Sequence, residues 1–129
     1  MNESGAPTDS HLDFRFLGEI DTDPAAPRPM LAILEARADT IDAMRAAIIE
    51  LVAEVRKEAG CLTFVPYESL GEPGHFYLYE VYSDLAAFQD HLATDHVSRF
   101  INTISTLSAK WPAYPIQLNE IAVSEPQRR

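Results

Sequence analysis

Cys61-Leu-Thr-Phe-Val-Pro-Tyr-Glu-Ser69, the turn Gly71-Glu-Pro-Gly74 and His75-Phe-Tyr-Leu-Tyr-Glu-Val-Tyr82 together decide the fold. Both flanks are strand-length runs rich in aromatic and β-branched residues. The Gly/Pro segment between them reverses the chain, so the stretch reads as an antiparallel hairpin. In the second run Phe76, Leu78 and Tyr82 share one parity and Tyr77, Tyr79 and Val81 the other, so this strand needs cover on both faces. Upstream, Met30-Leu-Ala-Ile-Leu-Glu-Ala-Arg37 is another strand-length apolar run. Between it and the hairpin, Ile41, Met44, Ile48, Leu51, Val52 and Val55 recur at intervals of three and four, which predicts a helix capped by Asp39 or Thr40 and stopped by Gly60. Downstream, Ser83 or Asp84 opens a helix carrying Leu85, Phe88 and Leu92, and Thr94 opens another carrying Val97, Phe100, Ile101, Ile104 and Leu107. Lys110-Trp-Pro-Ala113 breaks that helix, and Tyr114 to Val123 reads as the last strand.

Strand, helix, strand, strand, broken helix, strand is an α+β order. It predicts the ferredoxin-like split βαβ plan, a four-stranded antiparallel sheet with its helices on one face. Pro66 and Pro115 fall in strands two and four, the edges of such a sheet, where a missing N–H is tolerated. The uncovered face is apolar, and a second copy packed sheet on sheet is the most economical cover, so a homodimer is expected.

With 129 residues, one domain over residues 29–123 is expected, preceded by an acidic, proline-containing extension (1–28) and followed by a polar tail (124–129). Twenty acidic against ten basic residues give a net charge of −10, which excludes a general nucleic-acid binder, since no basic stripe exists to neutralise phosphates. No apolar run approaches the length of a membrane span. The single cysteine, Cys61, rules out an intramolecular disulfide framework or a multi-cysteine zinc site and reads as a small strand residue. Residues 1–28 lack the basic and apolar regions of a signal peptide, so a cytoplasmic protein is expected.

The most specific pattern is Glu58-Ala-Gly-Cys-Leu62 followed by Phe76-Tyr-Leu-Tyr-Glu-Val-Tyr-Ser-Asp-Leu-Ala-Ala-Phe-Gln-Asp-His-Leu-Ala-Thr-Asp-His96. Over about residues 29–123 it resembles the antibiotic biosynthesis monooxygenase family of small dimeric α+β barrel proteins. The shared features are Glu-x-Gly-Cys before strand two, an aromatic-Glu strand, and two histidines bracketing a Thr or Ser. The resemblance implies a dimeric α+β barrel. For the oxygenase branch it implies oxidation of a small quinol or polyphenol by dioxygen without metal, flavin or other cofactor. The haem-degrading branch resembles this chain in fold but carries an Asn on strand one and a Trp ending strand three, where Ala36 and Tyr82 stand here. The isomerase branch acts on a phosphorylated substrate and has an Arg where this chain has His75. A non-catalytic dimeric module holding a small apolar ligand is the alternative of a different class.

Cofactor-free oxygenation needs an apolar pocket, a base and donors for a developing oxyanion. His96 falls in the first turn of its helix, where the dipole disfavours imidazolium, and His91 ends the preceding helix; either can be the base or a solvated or capping residue. Glu80 shares a strand face with Leu78 and Tyr82, so it can orient a histidine or substrate hydroxyl, or be a paired structural charge. Tyr82 can donate to an oxyanion or simply pack. Phe64, Leu78, Phe88, Phe100 and Trp111 can line the pocket or form core. The two histidines, five residues apart on a broken helix, do not share a face, and no third ligand stands out, so no metal is expected.

Overall fold

Among residues 23–122, the span that the computed structural model describes, seven elements follow in the expected order. They are β1 (Arg28–Glu35), α1 (Ile41–Val55), β2 (Cys61–Glu68), β3 (His75–Tyr82), α2 (Leu85–Leu92), α3 (Asp95–Leu107) and β4 (Ile116–Gln117). Most of the expected extension 1–28 and all of the tail 124–129 lie outside the described residues. The sheet order is β2-β3-β1-β4 with every pair antiparallel, which is the ferredoxin-like α+β arrangement. Pro66 therefore lies on an edge strand, as the proline argument requires. No helix among the described residues is long and apolar enough to cross a membrane.

Three local expectations are corrected. The last strand is two residues long instead of spanning Tyr114 to Val123. Pro112 and Pro115 lead into it without N–H donors, only Met30 and Leu31 pair with it, and Ile121 beyond is fully exposed. The first strand ends at Glu35; Ala36 still donates in register to Gly74 O at 2.9 Å, but it bridges to Ser108, and Arg37 lies outside the strand. Gly60 does not stop α1, which ends at Val55 with Arg56 as its cap. Its role is steric: a Cβ at position 60 would collide with Ala87 Cβ and lie 3.3 Å from Ala87 Cα, so α2 approaches the β2 entrance only because residue 60 has no side chain.

Of the proposed caps, Asp84 accepts from Ala87 N at 2.8 Å and Thr94 accepts from Val97 N at 3.3 Å. Thr40 occupies the cap position of α1 but makes no cap hydrogen bond; its hydroxyl accepts from Arg37 N and donates to Leu107 O at 2.6 Å, tying the start of α1 to the end of α3.

The inward parity of β3 buries Phe76, Leu78, Glu80 and Tyr82. Phe76 and Leu78 pack with Met44, Ile48 and Val55 of α1 and Val97 and Ile104 of α3, while Tyr82, Met30 and Phe88 form a second cluster. Each such side chain contributes roughly 1.5–3 kcal/mol by leaving water. On the opposite face the register sets Tyr79 between Val65 and Leu31, and Tyr77 between Tyr67 and Ile33. In the single chain Ile33 is 43% and Tyr67 58% exposed.

Candidate active site

Strand alternation sends Leu78 and Glu80 from β3 toward the helices, where they meet Phe88 and His91 of α2 and Phe100 of α3. Between them lies an apolar cavity of about 70 Å³. All five expected lining residues, Phe64, Leu78, Phe88, Phe100 and Trp111, are in its wall, and Glu80 and His91 are its only titratable groups among the described residues. Trp111 Nε1 is buried and has no hydrogen-bond partner among the described residues, so an aromatic wall residue offers a spare donor.

Tyr82 is not in that wall. It is fully buried, and its hydroxyl donates to Glu80 Oε1 at 2.7 Å, so it supports the carboxyl and is not placed to meet a substrate oxyanion directly. Burial, and next to it the Glu80 charge, raises the Tyr82 pKa and keeps that proton on the phenol. Burial also pushes Glu80 up to about 7, against the Tyr82 hydrogen bond, which favours the carboxylate; the charge on Glu58 adds to the rise.

The raised Glu80 pKa has a testable consequence for stability. The folded state keeps the Glu80 proton up to about pH 7, whereas the unfolded chain releases it near the ordinary 4.5. Its contribution is thus complete below pH 4.5 and is lost as pH rises through 7, a difference on the order of 3 kcal/mol. Glu80→Gln is expected to remove it, so urea midpoints of parent and variant should converge or cross in the variant's favour between pH 5 and pH 8. Parallel pH curves would show that Glu80 titrates normally.

His91, in the last turn of α2, is nearly enclosed, its ring centroid 4.6 Å from that of Tyr82. Nδ1 lies 3.0 and 3.1 Å from the two oxygens of Glu58, and Nε2 lies 3.8 Å from Glu80 Oε1. Burial lowers the His91 pKa and Glu58 pulls against it, so the ring is held neutral in its apolar surroundings. His96, in the first turn of α3, directs Nε2 at the same Glu58 carboxylate, 2.5 Å from Oε2. It does not line the apolar cavity. It faces a cleft of about 220 Å³ formed by α1 and α3, with Glu50, Glu54 and Arg99.

The structure therefore corrects the expectation that no third ligand joins the two histidines. The break between α2 and α3 turns both rings toward the segment after α1, and they converge on Glu58, 33 and 38 residues away in sequence. Glu58 is the functional candidate that residue spacing missed. Its signal was the Glu58-Ala-Gly-Cys stretch itself, because Gly60 is what lets this segment reach α2.

The model of the family described as "Antibiotic biosynthesis monooxygenase" matches residues 30–103, more than half of the chain. The chain belongs to this family. Among solved structures, a protein of Pseudomonas aeruginosa is 28% identical, with a TM-score of 0.70 over 78% of this chain and 100% of its own. A structure described as an antibiotic biosynthesis monooxygenase is 25% identical, with a TM-score of 0.69 over 74% of this chain and 99% of its own. A Mycobacterium tuberculosis protein, 24% identical with a TM-score of 0.71 over 78% of this chain and 100% of its own, shares the fold. No curated protein matches the chain.

Proposed function

We propose that this family member is a cytoplasmic, cofactor-independent monooxygenase that oxidises a small phenolic quinol with dioxygen. The observation that carries the reading is the contact of His91 with both an apolar cavity and the Glu58 carboxylate. With Nδ1–H donating to Glu58, His91 presents the Nε2 lone pair as a base, and the imidazolium formed on proton uptake is stabilised by Glu58. Glu58 also hydrogen-bonds to His96, whose ring faces the outer cleft; when His96 Nε2 carries the lone pair, a proton handed from His91 to the Glu58 carboxylate passes on to it and out of the apolar chamber. Trp111 Nε1 and the protonated Glu80 are the donors available to the oxyanion. The quinolate then reduces dioxygen; one oxygen atom enters the ring, the other leaves as water, and the product is a hydroxyquinone. A cavity of about 70 Å³ is smaller than the roughly 150 Å³ that holds benzene, so even a one-ring quinol enters only as wall side chains move aside, and a polycyclic substrate is disfavoured.

Oxygen uptake by metal-stripped protein against benzoquinols and naphthoquinols, with the His91→Ala, His96→Ala double variant as control, tests the proposal. Uptake above autoxidation that requires the histidines is expected. Uptake that survives the double change overturns the base assignment, and no uptake across the panel favours the non-catalytic small-ligand module. The same proposal includes a homodimer closed over the outer sheet face, where Leu31, Tyr79 and Val65 form one apolar cross-strand row and Ile33, Tyr77 and Tyr67 another. Sedimentation equilibrium at micromolar concentration should return twice the 14.4 kDa chain mass; a monomer would refute it.

A further inference from the structure

We propose that Glu58, His91 and His96 form a binding site for one divalent transition-metal ion of the zinc or cobalt kind, and that occupancy shuts off the proton route. The site goes beyond the oxygenase reading. Only the inhibition rests on that reading.

Each of the three residues offers one ligand atom, and these atoms lie within 4.8 Å of one another. Two imidazole nitrogens and one carboxylate oxygen are the donor set that binds zinc in open, three-ligand sites and other first-row ions in facial sites. Ligand atoms around a tetrahedral zinc stand roughly 3.4 Å apart at bond lengths of about 2.0–2.1 Å. The present separations to Glu58, 2.5 Å from His96 Nε2 and 3.0 Å from His91 Nδ1, are shorter than that value and all three ligand atoms lie within 4.8 Å of one another, so the side chains need only spread slightly around an ion.

The three ligands come from three separate elements, the segment after α1, α2 and α3, which gives the site the long-range anchoring that a surface pair of histidines lacks. The side chains are only 7–17% exposed, so competition from water is limited.

A second observation points the same way. If His91 ligates through Nδ1, its Nε2 faces Glu80 at 3.8 Å, and Glu80 is itself held by the Tyr82 hydroxyl. At 3.8 Å this contact is longer than a hydrogen bond; closing it by somewhat under 1 Å would give the carboxylate–histidine arrangement that orients metal-bound imidazoles. The mouth beyond His96 carries Glu50 and Glu54 with Arg99, and Lys57 pairs with Glu54 at 3.3 Å, so the local charges offset; the net charge of −10 draws cations to the chain as a whole. A bound ion would occupy the His91 and Glu58 atoms that hand on the proton, leaving the base without an acceptor behind it.

The test is a Co²⁺ titration of the chelator-stripped full chain, followed by visible ligand-field absorption and calorimetry, with Zn²⁺ as competitor. One site per chain is expected, with affinity lowered in His96→Ala and in Glu58→Gln by more than the roughly 10- to 100-fold that losing a ligand's hydrogen-bond partner costs, while His75→Ala, outside the cluster, binds as the parent does. Circular dichroism checks that the variants are folded. Several weak sites, or an affinity unchanged in His96→Ala, would overturn the metal site and leave the oxygenase proposal untouched. Oxygen uptake separates the second part: a one-for-one loss of uptake with Zn²⁺ supports closure of the route. Uptake that appears only after metal is added keeps the site but overturns both the inhibition and the metal-free oxygenase.

Discussion

Glu58→Ala should reduce quinol-dependent oxygen uptake by roughly 10²- to 10⁴-fold, the range that a positioned acid–base group supplies. Under the proposed function this one carboxylate performs three tasks: it fixes the tautomer of His91, stabilises its cationic form, and joins it to His96. Removing it leaves an enclosed imidazole whose Nδ1–H has lost its acceptor, which costs a further ~1–3 kcal/mol of stability. The loss should fall on kcat rather than KM, because Glu58 does not line the cavity that holds the substrate. Glu58→Gln, which keeps an acceptor but not the charge, should fall between parent and Glu58→Ala. Uptake within about threefold of the parent in Glu58→Ala would remove Glu58 from the mechanism, since positioned groups contribute far more than that.

Tyr82→Ala should be the most destabilising substitution in the sheet. Tyr82 is completely buried on a central strand, packs 5.6 Å from Phe88 and 4.6 Å from His91 between ring centroids, and donates to Glu80. Truncating such an aromatic costs ~3–5 kcal/mol through lost burial and the cavity left behind. In a domain of this size that corresponds to a melting temperature lower by roughly 10 °C or more. Tyr82→Phe keeps the ring and removes only the hydroxyl, which should cost ~1–3 kcal/mol, because Glu80 stays buried without its donor. If Tyr82→Phe and Tyr82→Ala melt together, the hydroxyl and not the ring carries the stabilisation.

The sheet and helices were legible because each depends on a local period. The alternation in His75–Tyr82 and the three-and-four spacing from Ile41 to Val55 are consequences of packing one face against a core, and both emerge as written. Phe64, Leu78, Phe88, Phe100 and Trp111 were legible as pocket candidates for the same reason: they are inward positions, and the cavity lies among inward positions. β4 was misjudged because Tyr114, Ile116 and Leu118 alternate like a strand, yet pairing depends on partners in β1 and on N–H groups that the nearby prolines lack. Glu58 was not legible from spacing. Its meeting with His91 and His96 is set by how α2 and α3 return to the end of α1, a long-range event that no period in the chain encodes.

Gly60 gives that long-range event its dimension. The loop bearing Glu58 and the helix bearing His91 are held apart by the thickness of one hydrogen atom against the Ala87 methyl, so the contact works as a mechanical stop. One methyl group added there would alter no chemical group of the site and yet widen the gap that the proton crosses. Under the proposed function, a displacement of about 1 Å at the His91–Glu58 contact would cost roughly 10²-fold in rate, which makes a residue with no side chain its gauge.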